Sequence, residues 1–398
     1  MRAVLPLLTA TVEGPVTVRR VVQAVAAGTV LAVPALVRVS PASAFDPVSA
    51  STITIETQTT CASQTTGPFK LAISSDSNKA YVTLNGDARV AQLSTATDSL
   101  DAAACTGARY PESVAVSPDG SRIYVTNSAS NILRVIDTSN MSTVTDLNVG
   151  SAGNGMEVVT TPASVGKVYV YRHVENSLVV IRVSDNTVLS TVSVGGAGIR
   201  RSVGIVASPD GSVLYLVDND AIAIVSTATD TVTGSIPLTG AAGVAVSPDG
   251  SYLYVIGGAS DDALYRVRLS DNSVIDSSTV GAGPRGIAFT PSGSFALVTL
   301  NPSNTVAIVD TTTNEVIDTV SVGSSPYGIA VSPDGTFAYV ANWGGGYGDT
   351  VSRLNLGGLS LPPTGADHTW MVWVGSVMLG MGLAVIALGR IRKASPTA

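Results

Sequence analysis

The chain has 398 residues, a formal net charge of −7, 45% hydrophobic residues and only 13% charged ones. Between Phe45 and Thr364 stand 15 basic and 27 acidic residues, a net of 15 − 27 = −12. That balance argues against a nucleic-acid partner, because phosphates demand a basic face. The abundance of Gly (39) and Pro (20), with Val, Thr and Ser in long stretches, predicts many short strands joined by tight turns.

In chain order, the first predicted element is a secretory signal peptide over residues 1–44. Arg19 and Arg20 form its basic region, Val21–Val37 its apolar stretch, and Ala42-Ser43-Ala44 a small-residue cleavage site. The basic region is long, and initiation near Val16 or Val18 is an alternative start. The paired arginines lack the rest of a twin-Arg pattern. Next comes an isolated strand, Ser51–Thr57, whose Ile53 and Ile55 face one way and whose threonines face the other.

A repeat follows. "SPDG" occurs at Ser117–Gly120, Ser208–Gly211, Ser247–Gly250 and Ser332–Gly335, with degenerate versions at Ser74, Thr161 and Thr290. A few residues after each lies an aromatic or aliphatic residue in a β-branched run: Tyr81, Tyr124, Tyr169, Tyr215, Tyr254, Leu297 and Tyr339. The seven copies are spaced 43, 45, 46, 39, 43 and 42 residues apart, a period that means a solenoid or a propeller. Pro presets φ, Asp caps and Gly takes positive φ, so "SPDG" is a hairpin turn between two strands. In the last two copies Pro326–Val331 reads as a first strand and Thr336–Asn342 as a second. Thr305–Thr313 reads as a third and Glu315–Gly323 as a fourth. Four antiparallel strands per copy and seven copies predict an all-β, seven-bladed β-propeller over residues 45–358. The last copy ends on a third strand, Thr350–Leu356. Ser51–Thr57 supplies the missing fourth, so the N-terminal strand closes the ring and covers its edge.

The blades resemble the YVTN-type propeller repeats of bacterial and archaeal surface proteins. Tyr124–Asn127 spells that motif, and the resemblance runs over about 51–358. It implies the fold and is weak about activity.

Cys61 and Cys105 occupy equivalent connections at the starts of blades one and two. In an oxidising compartment they are expected to form a disulfide. His173 and His368 are the two histidines, and His173 is expected in an exposed loop. One histidine in the propeller leaves no multi-His metal site and no haem, and no cofactor or metal is expected. The acidic pairs at Asn85–Asp87, Asp218–Asp220 and Asp261–Asp262 read either as solvated turns or as incomplete calcium ligands. The position two residues before the apolar run of each first strand varies: Phe69, Glu112, Met156, Val203, Ala242, Arg285 and Tyr327. First strands line a propeller's channel, so these side chains are expected to ring one mouth, joined by Trp343 and Tyr347 of an inserted loop. The bland alternative is an unconstrained position. A mixed aromatic, Arg and acidic rim suits recognition.

The chain ends in residues 359–398. Leu361, Pro362, Pro363, Thr364 and Gly365 spell "LPPTG". Trp370–Gly389 is twenty uncharged residues, long enough for a transmembrane helix, and Arg390, Arg392 and Lys393 follow. The triple resembles a sortase wall-sorting signal of Gram-positive bacteria. The resemblance implies cleavage after Thr364, transfer to peptidoglycan, and membrane residence only before sorting. A retained membrane anchor is the alternative. The expected whole is a secreted, monomeric, wall-anchored propeller that binds or displays and is not an enzyme. Its expected partners are sortase, peptidoglycan and an unidentified protein or glycan. A lactonase-like enzyme and a surface-layer component are the other two readings.

Overall fold

The computed structural model describes residues 48–55, 61, 67–107, 110–150, 156–195, 204–218, 221–257, 262–346 and 350–359. Within these the chain forms seven four-stranded antiparallel sheets. The first strands of the sheets touch one another in a closed ring: Pro68–Ile73, Pro111–Val116, Met156–Thr160, Ile205–Ala207, Ala241–Val246, Pro284–Phe289 and Pro326–Val331. They are the inner strands around an axial channel. The chain is a seven-bladed β-propeller. The sorting sequence 361–365, the apolar stretch 370–389 and the signal segment 1–44 lie outside the described residues.

Blade seven is built from both ends of the propeller. Its sheet order runs from the N-terminal strand Ala50–Thr54 through Thr350–Asn355 and Phe337–Asn342 to Pro326–Val331. The closing strand starts one residue earlier than expected and stops at Thr54, not Thr57; Thr57 lies outside the described residues. Ala50 is already paired with Leu354, and Asn355 N–H donates to Ser49 O at 3.0 Å. The strand therefore needs the chain from Val48 onward. Ile53 and Ile55 are buried in one cluster with Leu71 and Val82 of blade one and Phe337, Tyr339 and Val351 of blade seven.

The repeated turn is held by its own side chains. In Ser117–Gly120, Ser117 Oγ donates to Asp119 Oδ1 at 2.6 Å and accepts from Arg122 N–H at 3.0 Å. Ser121 N–H donates to Asp119 Oδ1 at 3.1 Å, and Gly120 sits at φ 72°. Serine and aspartate together satisfy the backbone that the hairpin leaves open.

The recurring tyrosine joins blades. Each side chain is buried in its second strand, and most hydroxyls reach the next blade's third-to-fourth-strand turn. Tyr169 donates to Asp230 Oδ1 at 2.7 Å, Tyr124 to Asn186 Oδ1 at 3.4 Å and Tyr254 to Thr311 O at 3.2 Å. Tyr339 of blade seven donates to Asp98 of blade one, across the closure. Arg353 reinforces the seam by donating to Asp98 Oδ1 at 2.8 Å and to Thr95 O at 2.9 Å. The threonine two residues after the tyrosine, or after Leu297 in blade six, works nearer the axis. Thr126 donates to Met156 O at 2.9 Å and Thr299 to Tyr327 O at 2.8 Å. An asparagine four residues after the tyrosine position contacts the next blade's first residue: Asn85 Nδ2 donates to Pro111 O at 3.2 Å and Asn301 Nδ2 to Pro326 O at 3.3 Å. The repeated polar letters thus serve as inter-blade hydrogen bonds, which buried polar groups require.

A disulfide joins Cys61 to Cys105, with Cα atoms 5.6 Å apart. It ties the connection leaving the closing strand to the last residue of blade one's outer strand, Ser99–Cys105.

Two expectations about polar residues need correction. His173 is fully buried, with its ring 4.7 Å from that of Tyr171, because the turn folds back onto the blade. Asp87 is also buried, and it pairs with the fully buried Arg89 two residues on. That aspartate balances a buried guanidinium, so it is not a solvated turn residue. Asp218 accepts from Asn176 Nδ2 at 3.2 Å, and Asp262 accepts from Gly283 N–H at 3.1 Å. Among the described residues no three His, Cys, Asp or Glu side chains gather as metal ligands.

Candidate functional site

Four of the inner strands carry a bulge at the same place. Pairing with the second strand slips between Pro68 and Leu71, Pro111 and Val114, Pro284 and Ile287, and Pro326 and Ile329. The two residues between each pair leave the ladder, and a bulge re-aims side chains. The first of the two is the variable position: Phe69, Glu112, Arg285 and Tyr327. The second is Lys70, Ser113, Gly286 and Gly328. Threonine of the second strand holds the freed backbone, with Lys70 N–H donating to Thr83 Oγ1 at 3.0 Å and Gly286 N–H to Thr299 Oγ1 at 2.8 Å.

Around the axis lies a cavity of about 130 Å³, lined among others by Lys70, Glu157, Ala242, Arg285 and Tyr327. Its walls differ by side. Blades four to seven place glycine at the second bulge position: Gly204, Gly243, Gly286 and Gly328. A Cβ on Gly286 would lie 2.4 Å from Tyr327 O, and one on Gly328 2.7 Å from Phe69 O. Backbones touch there, and only glycine fits. Blades one to three place Lys70, Ser113 and Glu157 at the equivalent position. Lys70 Nζ pairs with Glu157, whose side chain is 4% exposed.

Glu112 stands beside this pair. Its Oε2 accepts from Met156 N–H at 2.7 Å. Burial pushes its carboxyl up from the ordinary 4.5 to about 7, and the Glu157 charge adds to the rise; the Met156 N–H and Lys70 oppose it. Because the folded value exceeds the unfolded one, the folded state holds the proton more tightly between about pH 4.5 and 7. Stability is then greatest below 4.5 and falls as pH rises to 7. Glu112→Gln keeps an acceptor for Met156 and removes the charge. Equilibrium unfolding should show the variant equal to wild type at pH 4 and more stable at pH 8, by at most about 3 kcal/mol. Parallel pH curves for the two proteins would show that Glu112 does not titrate there.

The other half of the mouth is aromatic. Phe69 stacks on Tyr327, centroids 4.1 Å apart at 25°. Trp343 meets both rings edge-on, at 6.2 Å and 6.3 Å. The Arg285 guanidinium lies 6.0 Å from the Tyr327 centroid. The sequence-predicted rim is thus partly assembled, with corrections. Phe69 is only 8% exposed, so it supports the cluster from beneath. Met156 is 1% exposed and packs in the apolar layer between blades two and three. Its strand has no bulge, so it stays in the ladder opposite Arg172. Val203 and Tyr347 lie outside the described residues. Lys70, Ser113 and Glu157 were missed by reading the sequence. Their signal was present one residue further on, as three polar residues where four other blades have glycine.

The fold invites comparison with known proteins. A family model described as "Lactonase, 7-bladed beta-propeller" matches residues 220–316, from late blade four through blade six. No curated protein matches the chain. Among solved structures, hydrazine synthase of Kuenenia stuttgartiensis is similar, with a TM-score of 0.62 and 19% identity. The match covers 76% of this chain and 99% of that one. At that identity the likeness is one of fold alone.

Proposed function

We propose that the protein is a secreted, wall-anchored display module of the YVTN-repeat kind, and that its propeller binds a protein or glycan partner without turning it over. Anchoring is supported by "LPPTG" at Leu361–Gly365, followed by the uncharged Trp370–Gly389 and a basic tail. Sortase would join Thr364 to peptidoglycan. The observation that carries the binding half is the convergence of Tyr327, Trp343 and Arg285 beside a mouth where Lys70 pairs with Glu157 and Glu112 accepts from the Met156 N–H. Aromatic rings with an arginine form a recognition surface.

One set of strains tests both halves. Thr364→Ala with Gly365→Ala should move the protein from the muralytic digest to membrane or medium. Tyr327→Ala with Trp343→Ala should leave it wall-linked but abolish capture of a crosslinked surface partner. Equal wall release in the first comparison ends the anchoring reading; equal capture in the second ends the binding reading.

A second reading is a lactonase-type enzyme. It is favoured by the family match over 220–316 and by Glu112, whose carboxyl is pushed to about 7 and so suits proton transfer near neutrality. Lactone turnover by wild type that is lost in Glu112→Gln would replace the binding reading with this one.

A further inference from the structure

The seam between blades four and five differs from its counterparts. Tyr124, Tyr169 and Tyr339 each donate to the residue just before the next blade's fourth strand: Asn186, Asp230 and Asp98. Between blades four and five the corresponding residues are Tyr215 and Asn272, and Asn272 shares the positive φ of those three acceptors. Asn272 is exposed, and the Tyr215 hydroxyl meets no hydrogen-bond partner among the described residues. Tyr215 is nevertheless only 6% exposed, and its ring belongs to the apolar cluster of Ile224, Val244 and Leu253. The hydroxyl end is what it lends to a groove of about 680 Å³ along the seam, and the charge of Asp210, which lines the same groove, acts on that phenol. The volume is that of a ligand pocket, for which about 300–1,000 Å³ is usual.

The groove lies away from the variable rim. The first strand Ala241–Val246 has Ala242 at the axial cavity and its other end at the Ser247–Gly250 turn, which lines the groove through Asp249 and Gly250. Asp210 is engaged by Ser208 and Ser212. Asp249 accepts from Ser247 and from Ser251 N–H through Oδ1, so its Oδ2 remains available to accept. Arg268 is balanced by Asp271 at 2.8 Å, which leaves the groove anionic and unsuited to an anion. A ligand must therefore offer an acceptor to Tyr215 and a donor to Asp249. A hydroxyl group does both, whereas an ammonium only donates. Tyr252 and Leu269 line the groove as well and give a carbon skeleton an apolar wall.

We propose that the groove between blades four and five is a binding site for a neutral saccharide unit, which accepts from the Tyr215 hydroxyl and donates to Asp249. The site is separate from the mouth and does not rest on the reading of that mouth. The unit comes either from a free sugar or from a glycan chain; both present the same hydroxyls.

Two measurements on the full chain test it. Tyr169→Phe removes a donor from Asp230 and should lower the melting temperature, while Tyr215→Phe should melt with the wild type. An equal loss in both would mean that Tyr215 is paired within the protein and would overturn the proposal. Saturation-transfer NMR then reads the binding of glucose, galactose, mannose and N-acetylglucosamine, each as the free sugar and as its β-1,4-linked dimer, with butylamine as the cationic probe. At least one sugar should bind saturably. Tyr215→Phe should weaken it about three- to ten-fold, and Tyr327→Ala with Trp343→Ala should leave it unchanged. No saturable sugar binding, sugar binding indifferent to Tyr215→Phe, or butylamine binding more tightly than every sugar would each overturn the proposal. Tighter binding of the dimer assigns the site to glycan chains, and equal binding to free sugars; either result keeps the saccharide.

Discussion

A chain shortened to begin after Ile55 should melt on the order of 10 °C below the full-length protein and associate in solution. The truncation removes the outer strand of blade seven, Ala50–Thr54, and all five of its pairings with Thr350–Leu354. It also withdraws Ile53 and Ile55, which are 6% and 1% exposed, from the cluster between blades seven and one. Burying each stabilises by roughly 1.5–3 kcal/mol, and each kcal/mol shifts the melting point of a large domain by about 2–4 °C. The strand Thr350–Asn355 would then present an open edge, a template for a second chain. A chain beginning at Val48 keeps every contact and should behave as wild type. Calorimetry and sedimentation decide it. A truncated protein that melts normally and stays monomeric would show that the ring does not depend on its N-terminal strand. The contact joins residues about three hundred apart in sequence, so its loop-closure entropy also predicts slow refolding for the intact chain.

Replacing Cys61 and Cys105 by serine should cost nearly as much. The disulfide closes a 44-residue separation, which the chain-entropy model values at about 4 kcal/mol as an upper figure. Denaturant unfolding of the oxidised protein and the double variant should give midpoints that differ accordingly, with equal slopes if the folded surfaces match. The loss should fall unevenly. Cys61 sits on the connection that leaves the closing strand, so amide exchange should rise first at Ala50–Thr54 and only later in blades three to six. A midpoint shift worth less than about 1 kcal/mol would mean that the native ring already constrains this connection.

Much of the fold was legible because it is repetitive. A turn that needs serine, proline, aspartate and glycine in order leaves the same four letters wherever it recurs. A buried tyrosine leaves a fixed offset from it. The closing strand was visible as an unpaired alternation, although its bounds were not. Ala50 and Ser49 carry no pattern of their own and join the sheet because Leu354 and Asn355 lie opposite them. The site was legible only in part. The variable position identified Arg285, Tyr327 and Glu112, but a bulge decides whether that position faces the channel. Met156 falls at the same repeat position without a bulge and points into the core.

From the sequence alone follow the class of fold, the blade count and the pairing of first and last strands, with the cysteine partners and the address-like ends as expectations. Each depends on local chemistry repeated at a fixed period. The tertiary structure alone decided which side chains share the mouth, that Lys70 of blade one answers Glu157 of blade three, and that His173 and Asp87 are buried. It alone showed Arg285 Nε and Trp343 Nε1 buried without an acceptor among the described residues. Those outcomes depend on how seven sheets pack around an axis. Neighbours there are chosen by the angle between blades and by one-residue slips in register, which act between strands distant in the sequence.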